Sequence, residues 1–271
     1  MNVNDRNVVV TGSSRGIGAE IARQFAAAGS RVVVSARSQD AIKTLAREIE
    51  GVAIPFDAND PDDVRTYIER VESEIGAIDI FINNAGIEKS TLVEDLTEEE
   101  IEDTIRINLV TPQVLTASLL PRMLDRGRGH LVYTSSIAAT TGNPAMSVYS
   151  SSKGGLTRFA ESLRMELRYT LLNVTILHLG PVDTKMWDDI EENPLMKPGV
   201  DRFTKLGLLT VADSTKVAKS TLRAVQRNKR EVRLPRRMAV NAALNGLSTK
   251  LFEAFQVGID VRKEGGKTPF Q

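Results

Sequence analysis

Short apolar runs alternate with longer amphipathic stretches along most of the chain of 271 residues. Runs rich in valine, isoleucine and leucine predict buried strands, whereas apolar residues that recur every three or four positions predict helices. Strands are predicted at 7–11, 31–35, 52–56, 79–82, 131–134, 174–179 and 231–234, and helices at about 19–30, 39–49, 62–75, 98–126, 147–171 and 213–228. Because strands and helices alternate, the pattern predicts a single-domain α/β Rossmann fold, a doubly wound parallel sheet with helices on both faces.

One long connection differs from the rest, because the residues from Lys185 to Leu209 show no sustained periodicity. Structureless connections of this length are uncommon in a compact domain, and many of them cover a ligand. The stretch is rich in apolar and ring side chains: Met186, Trp187, Pro194, Met196, Pro198 and Phe203. We therefore expect residues 185–209, called the covering segment below, to lie over a substrate.

The end of the chain carries a basic run between Arg227 and Arg237, followed by an apolar stripe of Leu244, Leu247, Leu251 and Phe255. This pattern predicts a helical C-terminal extension at about 236–271 of the single domain, which spans 1–271. One interpretation is a helix that lies on an anionic membrane surface. We favour a helix packed on its own core or on another subunit, because apolar stripes usually mark ordinary packing.

The composition excludes several kinds of chemistry. The chain has 35 basic and 35 acidic side chains, so no general attraction to nucleic acid is expected. It has no cysteine, which removes disulfides, thiolate catalysis and cysteine-ligated zinc. His130 and His178 are too few and too isolated for a metal site, and structural roles are expected because both lie in strand-like runs. No signal peptide or run of transmembrane length is visible, so a cytoplasmic protein is the default expectation.

A glycine-rich turn joins the first strand to the first helix. Its glycines follow the spacing G-x-x-x-G-x-G, from Gly12 to Gly18. Glycines let the backbone approach a ligand, and free N–H groups at a helix start favour an anion. We therefore expect a phosphate site formed by Gly12, Ser14, Arg15, Ile17 and Gly18. The alternative is a turn that only packs the helix on the sheet.

The second strand ends in Ala36 and Arg37, where an adenosine ribose is expected. An acidic residue here would bind a free 2′-hydroxyl, whereas an arginine accommodates a 2′-phosphate. Arg37, together with Arg15, therefore favours NADP(H) over NAD(H). The alternative is that Arg37 is a solvated loop charge. Asp57, after the third strand, is expected either at the adenine amino group or as the cap of the helix that follows.

Small residues follow the fourth strand, in the order Asn83-Asn84-Ala85-Gly86. Small residues at this point let the backbone approach a ligand closely. Ligands of open α/β sheets bind at the carboxyl ends of the strands. We therefore expect Asn84, Ala85 and Gly86 to contact the same cofactor as the glycine turn.

A serine, a tyrosine and a lysine form the candidate catalytic set. Ser136 follows the fifth strand, and Tyr149 and Lys153 come next on a helix at i and i+4, so they share one face. A phenol ionises near pH 10, and a nearby ammonium favours the phenolate. Lowering the pKa of Tyr149 by about 2–3 units needs about 3–4 kcal/mol. We expect Ser136 to hydrogen-bond the oxygen that gains or loses the proton.

Asn108 is a polar residue in an apolar stretch of the helix that Thr97 and Glu100 open as a capping box. Pro112, four residues later, has no N–H. The Asn108 carbonyl is therefore expected to lack its intrahelical partner and to accept a hydrogen bond from another group such as water. The alternative is a plain proline kink with Asn108 satisfied locally.

These motifs together resemble those of the short-chain dehydrogenase/reductase family over residues 5–235. Each motif is weak alone, but six of them occur in the family's order on the expected elements. They are Thr11–Gly18, Asn83–Gly86, Asn108, Ser136, Tyr149–Lys153 and the Gly180–Thr184 turn. One departure is visible: the family's Pro-Gly after this strand is Leu179-Gly180 here, with the proline at position 181.

The resemblance implies a role for each matching residue. Tyr149 would be the general acid–base, and Lys153 would lower its pKa and hold the nicotinamide ribose. Ser136 would bind the carbonyl or hydroxyl oxygen, and Asn108 would position a water that leads protons towards Lys153. The nicotinamide carboxamide would lie between Val182 and Thr184.

The resemblance thus implies an oxidoreductase that transfers hydride between NADP(H) and a carbonyl or secondary alcohol. The covering segment favours an apolar substrate, as do Ile137, Pro144 and Met146. Two alternatives stay open: an NADP(H)-binding regulatory module without turnover, and a lipid carbonyl reductase on a membrane surface. The resemblance also implies a homodimer or homotetramer formed through the helices near 98–126 and 147–171.

Overall fold

The computed structural model describes residues 1–235, and these residues form one sheet of seven parallel strands. The strands are β1 Asn7–Thr11, β2 Arg31–Ser35, β3 Val52–Ala53, β4 Ile80–Asn83, β5 Gly129–Ser136, β6 Leu172–Leu179 and β7 Glu231–Leu234. Their order across the sheet is β3-β2-β1-β4-β5-β6-β7, and each strand is parallel to its neighbours. The predicted doubly wound parallel sheet is confirmed.

Helices cover both faces of this sheet. Those of the described residues are α1 Gly16–Ala27, α2 Gln39–Glu48, α3 Pro61–Ile75, α4 Glu98–Ile105, α5 Thr111–Asp125, α6 Ser147–Glu166, α7 Lys185–Glu192, α8 Lys197–Lys205 and α9 Ser214–Gln226. One apolar cluster packs α1, α2 and α9 on the sheet, and a second packs α3, α5 and α6 on the opposite face.

The inner strands are rich in apolar residues because both of their faces are buried. In β1, Val8 and Val10 point into the cluster below α1, while Val9 points into the cluster below α3. All three valines have no exposed surface. Burying a valine side chain contributes about 1.5–3 kcal/mol, so this short strand stabilises both layers of the fold.

The structure differs from the sequence pattern in the lengths of several elements. The third strand has two residues, although Ile54 and Phe56 still donate N–H groups to the chain of β2 and its continuation. The fifth strand is longer than predicted and delivers Ser136 as its last residue. The predicted helix 98–126 begins with the expected capping box at Thr97, but a π-helical turn at Arg106–Val110 separates α4 from α5.

The covering segment contains two short helices, α7 and α8, where the sequence showed no sustained periodicity. Helices of eight or nine residues are too short to display a convincing period. Pro198 lies in the first turn of α8, where a missing N–H costs nothing. Pro198 therefore marks a helix start in this segment, not the absence of a helix.

The predicted extension at about 236–271, with its apolar stripe, lies outside the described residues. Within residues 1–235, no helix is long and apolar enough to cross a membrane. The same residues place no group of three or more His, Asp or Glu side chains where it could hold a metal ion.

His130 has a structural position inside β5. Its Nε2 lies 2.8 Å from Thr175 Oγ1, and the Thr175 hydroxyl donates to the Lys229 carbonyl at 2.6 Å. Because this hydroxyl has one proton, Nε2 of His130 is the donor, and Nδ1 has no partner among the described residues. Burial, together with the positive charges of the N-terminus and Arg164, lowers the pKa of His130 to about 3.

We predict that this buried ring makes the protein acid-sensitive. The unfolded chain binds a proton at His130 near pH 6.5, whereas the folded chain does so near pH 3, so stability is lost as the pH falls through 6.5. Between pH 7.5 and 5.5 the wild type should lose about 1 kcal/mol more unfolding free energy than His130→Gln, measured by urea titration. His178 titrates in both proteins, so its effect cancels. An equal loss in both would contradict the prediction.

Candidate active site

The order of the strands reverses between β1 and β4, so the loops that follow these strands leave in opposite directions. Such a switch point opens a crevice at the carboxyl edge of the sheet. A cavity of about 950 Å³ lies along this edge. All the residues predicted to be catalytic or to bind the cofactor line the cavity except Asn108, which is fully buried.

The glycine turn lies against the loop that follows β4. Gly12 and Gly16 have φ angles of +65° and +57°, which favour glycine. A Cβ at Gly12 would lie 2.7 Å from Ala85 Cα, and a Cβ at Gly18 would lie 2.4 Å from the Gly12 carbonyl oxygen. The close approach therefore requires glycine at both positions.

The start of α1 is an open end of a helix. Three other helices, α3, α4 and α9, begin with a side chain that accepts hydrogen bonds from their first N–H groups. The start of α1 at Gly16 has no such cap, and its first turn carries no acidic residue. Uncapped N–H groups and the positive end of the helix dipole suit an anion.

Sequence reasoning missed the residues that hold the glycine turn to the end of β2. Ser35 N–H donates to Ser13 Oγ at 2.7 Å, and Ser13 N–H donates to the Ser35 carbonyl at 3.1 Å. The Tyr67 hydroxyl, from α3, donates to Ser35 Oγ at 2.6 Å. Polar residues inside apolar strand ends were the available signal, since buried hydroxyls need partners.

A second missed network joins β1, β4 and β5. Thr11 Oγ1 accepts the N–H groups of Asn84 and Ala85, both at 3.1 Å. The Asn84 amide donates to the carbonyls of Thr11 and Gly12 at 3.1 and 3.2 Å, and Thr134 donates to its oxygen at 3.3 Å. The side chain of Asn84 therefore holds the two loops in place and leaves the backbone at Ala85 and Gly86 facing the cavity.

The charged residues Arg15, Arg37 and Asp57 all line the cavity. Arg15 and Arg37 are exposed, and neither forms an ion pair with another residue of the described chain. Asp57 does not cap α3, because Asp60 accepts the N–H groups at that helix start. The alternative role of Asp57 as a helix cap is therefore wrong; Asp57 lines the cavity, and its Oδ1 accepts the Asn59 N–H at 2.9 Å.

Ser136, Tyr149 and Lys153 meet where β5 ends. Ser136 Oγ accepts the Ala138 N–H at 3.1 Å, and Ser136 lines the same cavity as Tyr149. One turn along α6, Lys153 Nζ donates to the Thr134 carbonyl at 3.0 Å and lies 5.9 Å from the centre of the Tyr149 ring. The predicted shared face of Tyr149 and Lys153 is therefore present.

Burial controls the acidity of this pair. Burial is the main cause that raises the pKa of Tyr149 to about 12; the Glu88 carboxylate contributes to the rise, and the Ser136 hydroxyl opposes it. Burial also lowers the pKa of Lys153 to about 8. Desolvation of the phenolate is the largest effect on the pKa of Tyr149, and the expectation that Lys153 lowers this pKa stays a prediction.

The π-helical turn places Asn108 against the loop after β4. Its Oδ1 accepts the Ile87 N–H at 2.9 Å, and its Nδ2 donates to the Ile87 carbonyl at 2.8 Å and to Ser152 Oγ at 3.0 Å. The side chain is thus satisfied by distant residues, not locally. A Cβ at Gly86 would lie 3.1 Å from both Asn108 Oδ1 and Lys153 Nζ, so these polar atoms border one point that Gly86 leaves open.

The turn after β6 has its proline at position 181 and is held by contacts with Ala212. The Pro181 carbonyl accepts the Ala212 N–H at 2.9 Å, and Val182 forms a bridge with Ala212. Thr184 Oγ1 donates to the Val182 carbonyl at 3.2 Å. The Thr184 methyl group would lie 3.1 Å from a Cβ at Gly16, so this turn packs on the glycine turn.

The covering segment lies over the other part of the cavity. Its lining side chains are mostly apolar: Met186, Trp187, Ile190, Leu195, Met196, Val200, Phe203, Leu208 and Leu209. The facing wall includes Ile137, Pro144 and Met146, as expected. Sequence reasoning missed Ile190, Leu195 and Val200. The spacing of Met186 and Ile190 and of Val200 and Phe203 could have indicated Ile190 and Val200.

Comparison with known proteins supports the same identification. Residues 6–195 match the model of the short chain dehydrogenase family. The ketoacyl reductase HetN of Nostoc is 35% identical over 182 residues, which are 65% of this chain and 63% of that protein. Dehydrogenase/reductase SDR family member 7B of Danio rerio is 32% identical over 243 residues, 85% of this chain and 77% of that protein. The 3-oxoacyl-[acyl-carrier-protein] reductase FabG of Escherichia coli is 30% identical over 188 residues, which are 69% of this chain and 77% of that protein.

Solved structures share the fold over most of the chain. A metagenomic short-chain oxidoreductase, solved in complex with NADP, superposes with a TM-score of 0.69 at 26% identity and covers 86% of this chain and 98% of that one. A short-chain dehydrogenase from Streptomyces avermitilis superposes with a TM-score of 0.78 at 26% identity and covers 96% of this chain and 100% of that one. Because the family model matches well over half of its residues, this chain belongs to the short-chain dehydrogenase family.

Proposed function

We propose that the protein is an NADP(H)-dependent oxidoreductase that interconverts a carbonyl and a secondary alcohol on an apolar substrate. The observation that carries this proposal is that Ser136, Tyr149 and Lys153 meet in the cavity that also contains the uncapped start of α1. A proton-transfer group beside an anion site suits a reaction between a substrate and a bound nucleotide cofactor.

The residues of the cavity fit a dinucleotide. Gly12 and Gly18 allow the close backbone packing that shapes the turn, Gly86 leaves open the space that a Cβ would fill, and the start of α1 suits a diphosphate. The cofactor would be held by Gly12, Ser14, Arg15, Ile17, Gly18, Arg37, Asp57, Asn84, Ala85, Gly86, Tyr149, Lys153, Val182 and Thr184. When bound, the nicotinamide supplies or accepts the hydride, which no side chain can do.

Tyr149 is proposed to move the proton on the substrate oxygen. Its hydroxyl gives this proton during reduction and removes it during oxidation, while Ser136 Oγ holds the same oxygen. Because burial raises the pKa of Tyr149 to about 12, the phenol is protonated at neutral pH, which suits donation to a carbonyl. A positioned general acid contributes about 10²–10⁴-fold to a rate.

Lys153 and Asn108 are proposed to return a proton to Tyr149. Burial lowers the pKa of Lys153 to about 8, so its ammonium group can exchange a proton near neutral pH. Lys153 Nζ and Asn108 Oδ1 border the same open point at Gly86, and a water bound at the Asn108 carbonyl would extend the route. The buried ammonium is also placed to hold a ribose hydroxyl.

The preference for NADP(H) rests on two cations. Arg15 and Arg37 line the cavity, and neither is paired with a carboxylate of the described chain. Guanidinium groups bind phosphate through charge-assisted hydrogen bonds, so both suit a 2′-phosphate. The related metagenomic oxidoreductase was solved with NADP.

The apolar lining of the covering segment supports an apolar substrate. Side chains such as Trp187, Met196 and Phe203 offer contact area and few hydrogen bonds. Two of the relatives are named as ketoacyl or 3-oxoacyl reductases. A ketone on an apolar acyl chain has the chemistry that this cavity favours.

We also propose that the protein is a cytoplasmic homodimer or homotetramer. Exposed apolar side chains lie on three neighbouring helices, Ile101 on α4, Val114 on α5 and Met165 on α6. Contact with another copy would remove them from water. The alternative of a lipid reductase on a membrane surface depends on residues 236–271, outside the described chain.

We predict that Tyr149→Phe lowers kcat for NADPH-dependent ketone reduction by at least about 100-fold, because the general acid is lost. Loss of NADPH absorbance with a panel of apolar ketones measures it. Tyr169→Phe is the matched control, since Tyr169 is 92% exposed and should leave the rate unchanged. Equal turnover by Tyr149→Phe and wild type would contradict the assignment.

We predict that Arg37→Ala raises the KM for NADPH by about 10-fold or more and changes the KM for NADH little, because one charge-assisted bond to the 2′-phosphate is lost. Arg47→Ala is the control, since Arg47 is exposed on α2 and does not line the cavity. The two KM values are measured for each variant. A similar change in the KM values for both cofactors would show that Arg37 does not bind the 2′-phosphate.

A further inference from the structure

The loop at residues 87–91, which follows β4, is held by three separate parts of the molecule. Its first residue is bound through both backbone groups by the amide of Asn108, at 2.9 and 2.8 Å. Its last residue donates its N–H to the Ala145 carbonyl at 2.9 Å, in the loop before α6. Between them, the Ser90 carbonyl accepts from Asn193 Nδ2 at 2.9 Å. One short loop therefore contacts the π-helical turn, the loop before the catalytic tyrosine and the covering segment.

Asn193 lies between α7 and α8 and uses its polar atoms for two purposes. Its backbone carbonyl accepts the N–H groups of Met196 and Lys197 at 3.0 and 2.9 Å, and its Oδ1 accepts the Leu195 N–H at 2.9 Å. These oxygens hold the turn between the two helices. Its Nδ2, in contrast, reaches out of the covering segment to Ser90, 103 positions away in the sequence.

We propose that Asn193 is a positioning residue, and that its bond to Ser90 holds the covering segment over the substrate cavity. Ile190, Leu195 and Met196 flank Asn193 and line the cavity, so a displacement of Asn193 displaces apolar surface that contacts the substrate. The inference rests on the proposed function, because it names the residue that places this surface.

The loop at residues 87–91 connects two walls of the cavity. It contacts the covering segment through the Asn193–Ser90 bond and the loop before α6 through Thr91 and Ala145. Ala145, which receives the Thr91 N–H, has a φ of +61° and is buried. A buried alanine in this conformation is strained and needs support from its surroundings. The loop at 87–91 therefore fixes the wall before Tyr149 and, through Asn193, the wall that the covering segment provides.

Two substitutions separate the two uses of the Asn193 side chain. Asn193→Asp keeps an acceptor oxygen for the Leu195 N–H but replaces the donor with an oxygen that repels the Ser90 carbonyl. Asn193→Ala removes both groups. Asn173→Asp is the matched control, because the Asn173 amide donates to the Leu171 carbonyl at 3.4 Å at the exposed start of β6.

The test reads the covering segment without turnover, because Trp187 is the one tryptophan of the sequence, lies in α7 and lines the cavity. Quenching of its fluorescence by acrylamide should rise about 2-fold in Asn193→Asp and Asn193→Ala and stay unchanged in Asn173→Asp. In steady-state assays with NADPH and an apolar ketone, the ketone KM should rise about 3- to 10-fold in both Asn193 variants. The kcat and the KM for NADPH should stay within about 2-fold, since uniform substrate binding is what is lost.

Each outcome decides between the roles. Wild-type quenching in Asn193→Asp with raised quenching in Asn193→Ala would assign the effect to the turn between the helices and overturn the proposal. Unchanged quenching in both variants would overturn it as well. The two proposals can also fail separately. If quenching rises in Asn193→Asp but the wild type reduces no ketone, the positioning role is supported and the proposed function is contradicted.

Discussion

The hydroxyl of Thr11 fixes the distance on which the rest of the site depends. It accepts two N–H groups just after β4 and donates to the Ile82 carbonyl at 3.3 Å. It therefore connects β1 and β4, the neighbouring strands at which the strand order reverses. The close packing of Gly12 on Ala85 requires this tie, because two loops that leave in opposite directions would otherwise spread. The anion site at α1 therefore lies a fixed distance from the open point at Gly86, where Lys153 and Asn108 meet.

Burial acts on Tyr149 and Lys153 in opposite directions on the pKa scale and for one reason. The pKa of the Tyr149 phenol is raised to about 12 and that of the Lys153 ammonium is lowered to about 8, because each group loses solvation in its charged form. The chain itself therefore prefers a neutral phenol beside a weakly held proton on the lysine. Sequence spacing alone suggests attraction between the two charged forms and says nothing of this competing desolvation.

The sequence predicts those parts of the fold and site that depend on local chemistry. Strands such as Val8–Val10, the capping box at Thr97 and the glycine turn follow from residue type and spacing, and all are present. Parts that depend on distant partners were not predictable. Ser13 and Thr134 gain their roles from strands far away in sequence, Asn108 bonds to Ile87, and the helices α7 and α8 are too short to show a period.

Because of the π-helical turn at Arg106–Val110, the orientation of part of the site depends on the number of residues in this turn. A residue advances an α-helix by about 100°, so the wider turn rotates everything after it relative to α4. Thr104 before the turn and Leu115 after it are both buried, and Asn108 lies between them. Deleting Arg106 or Ile107 from this turn would leave all the candidate catalytic side chains in the chain. It would nevertheless restore a regular helix and turn the Asn108 amide away from Ile87, so an intact set of motifs does not by itself guarantee an intact site.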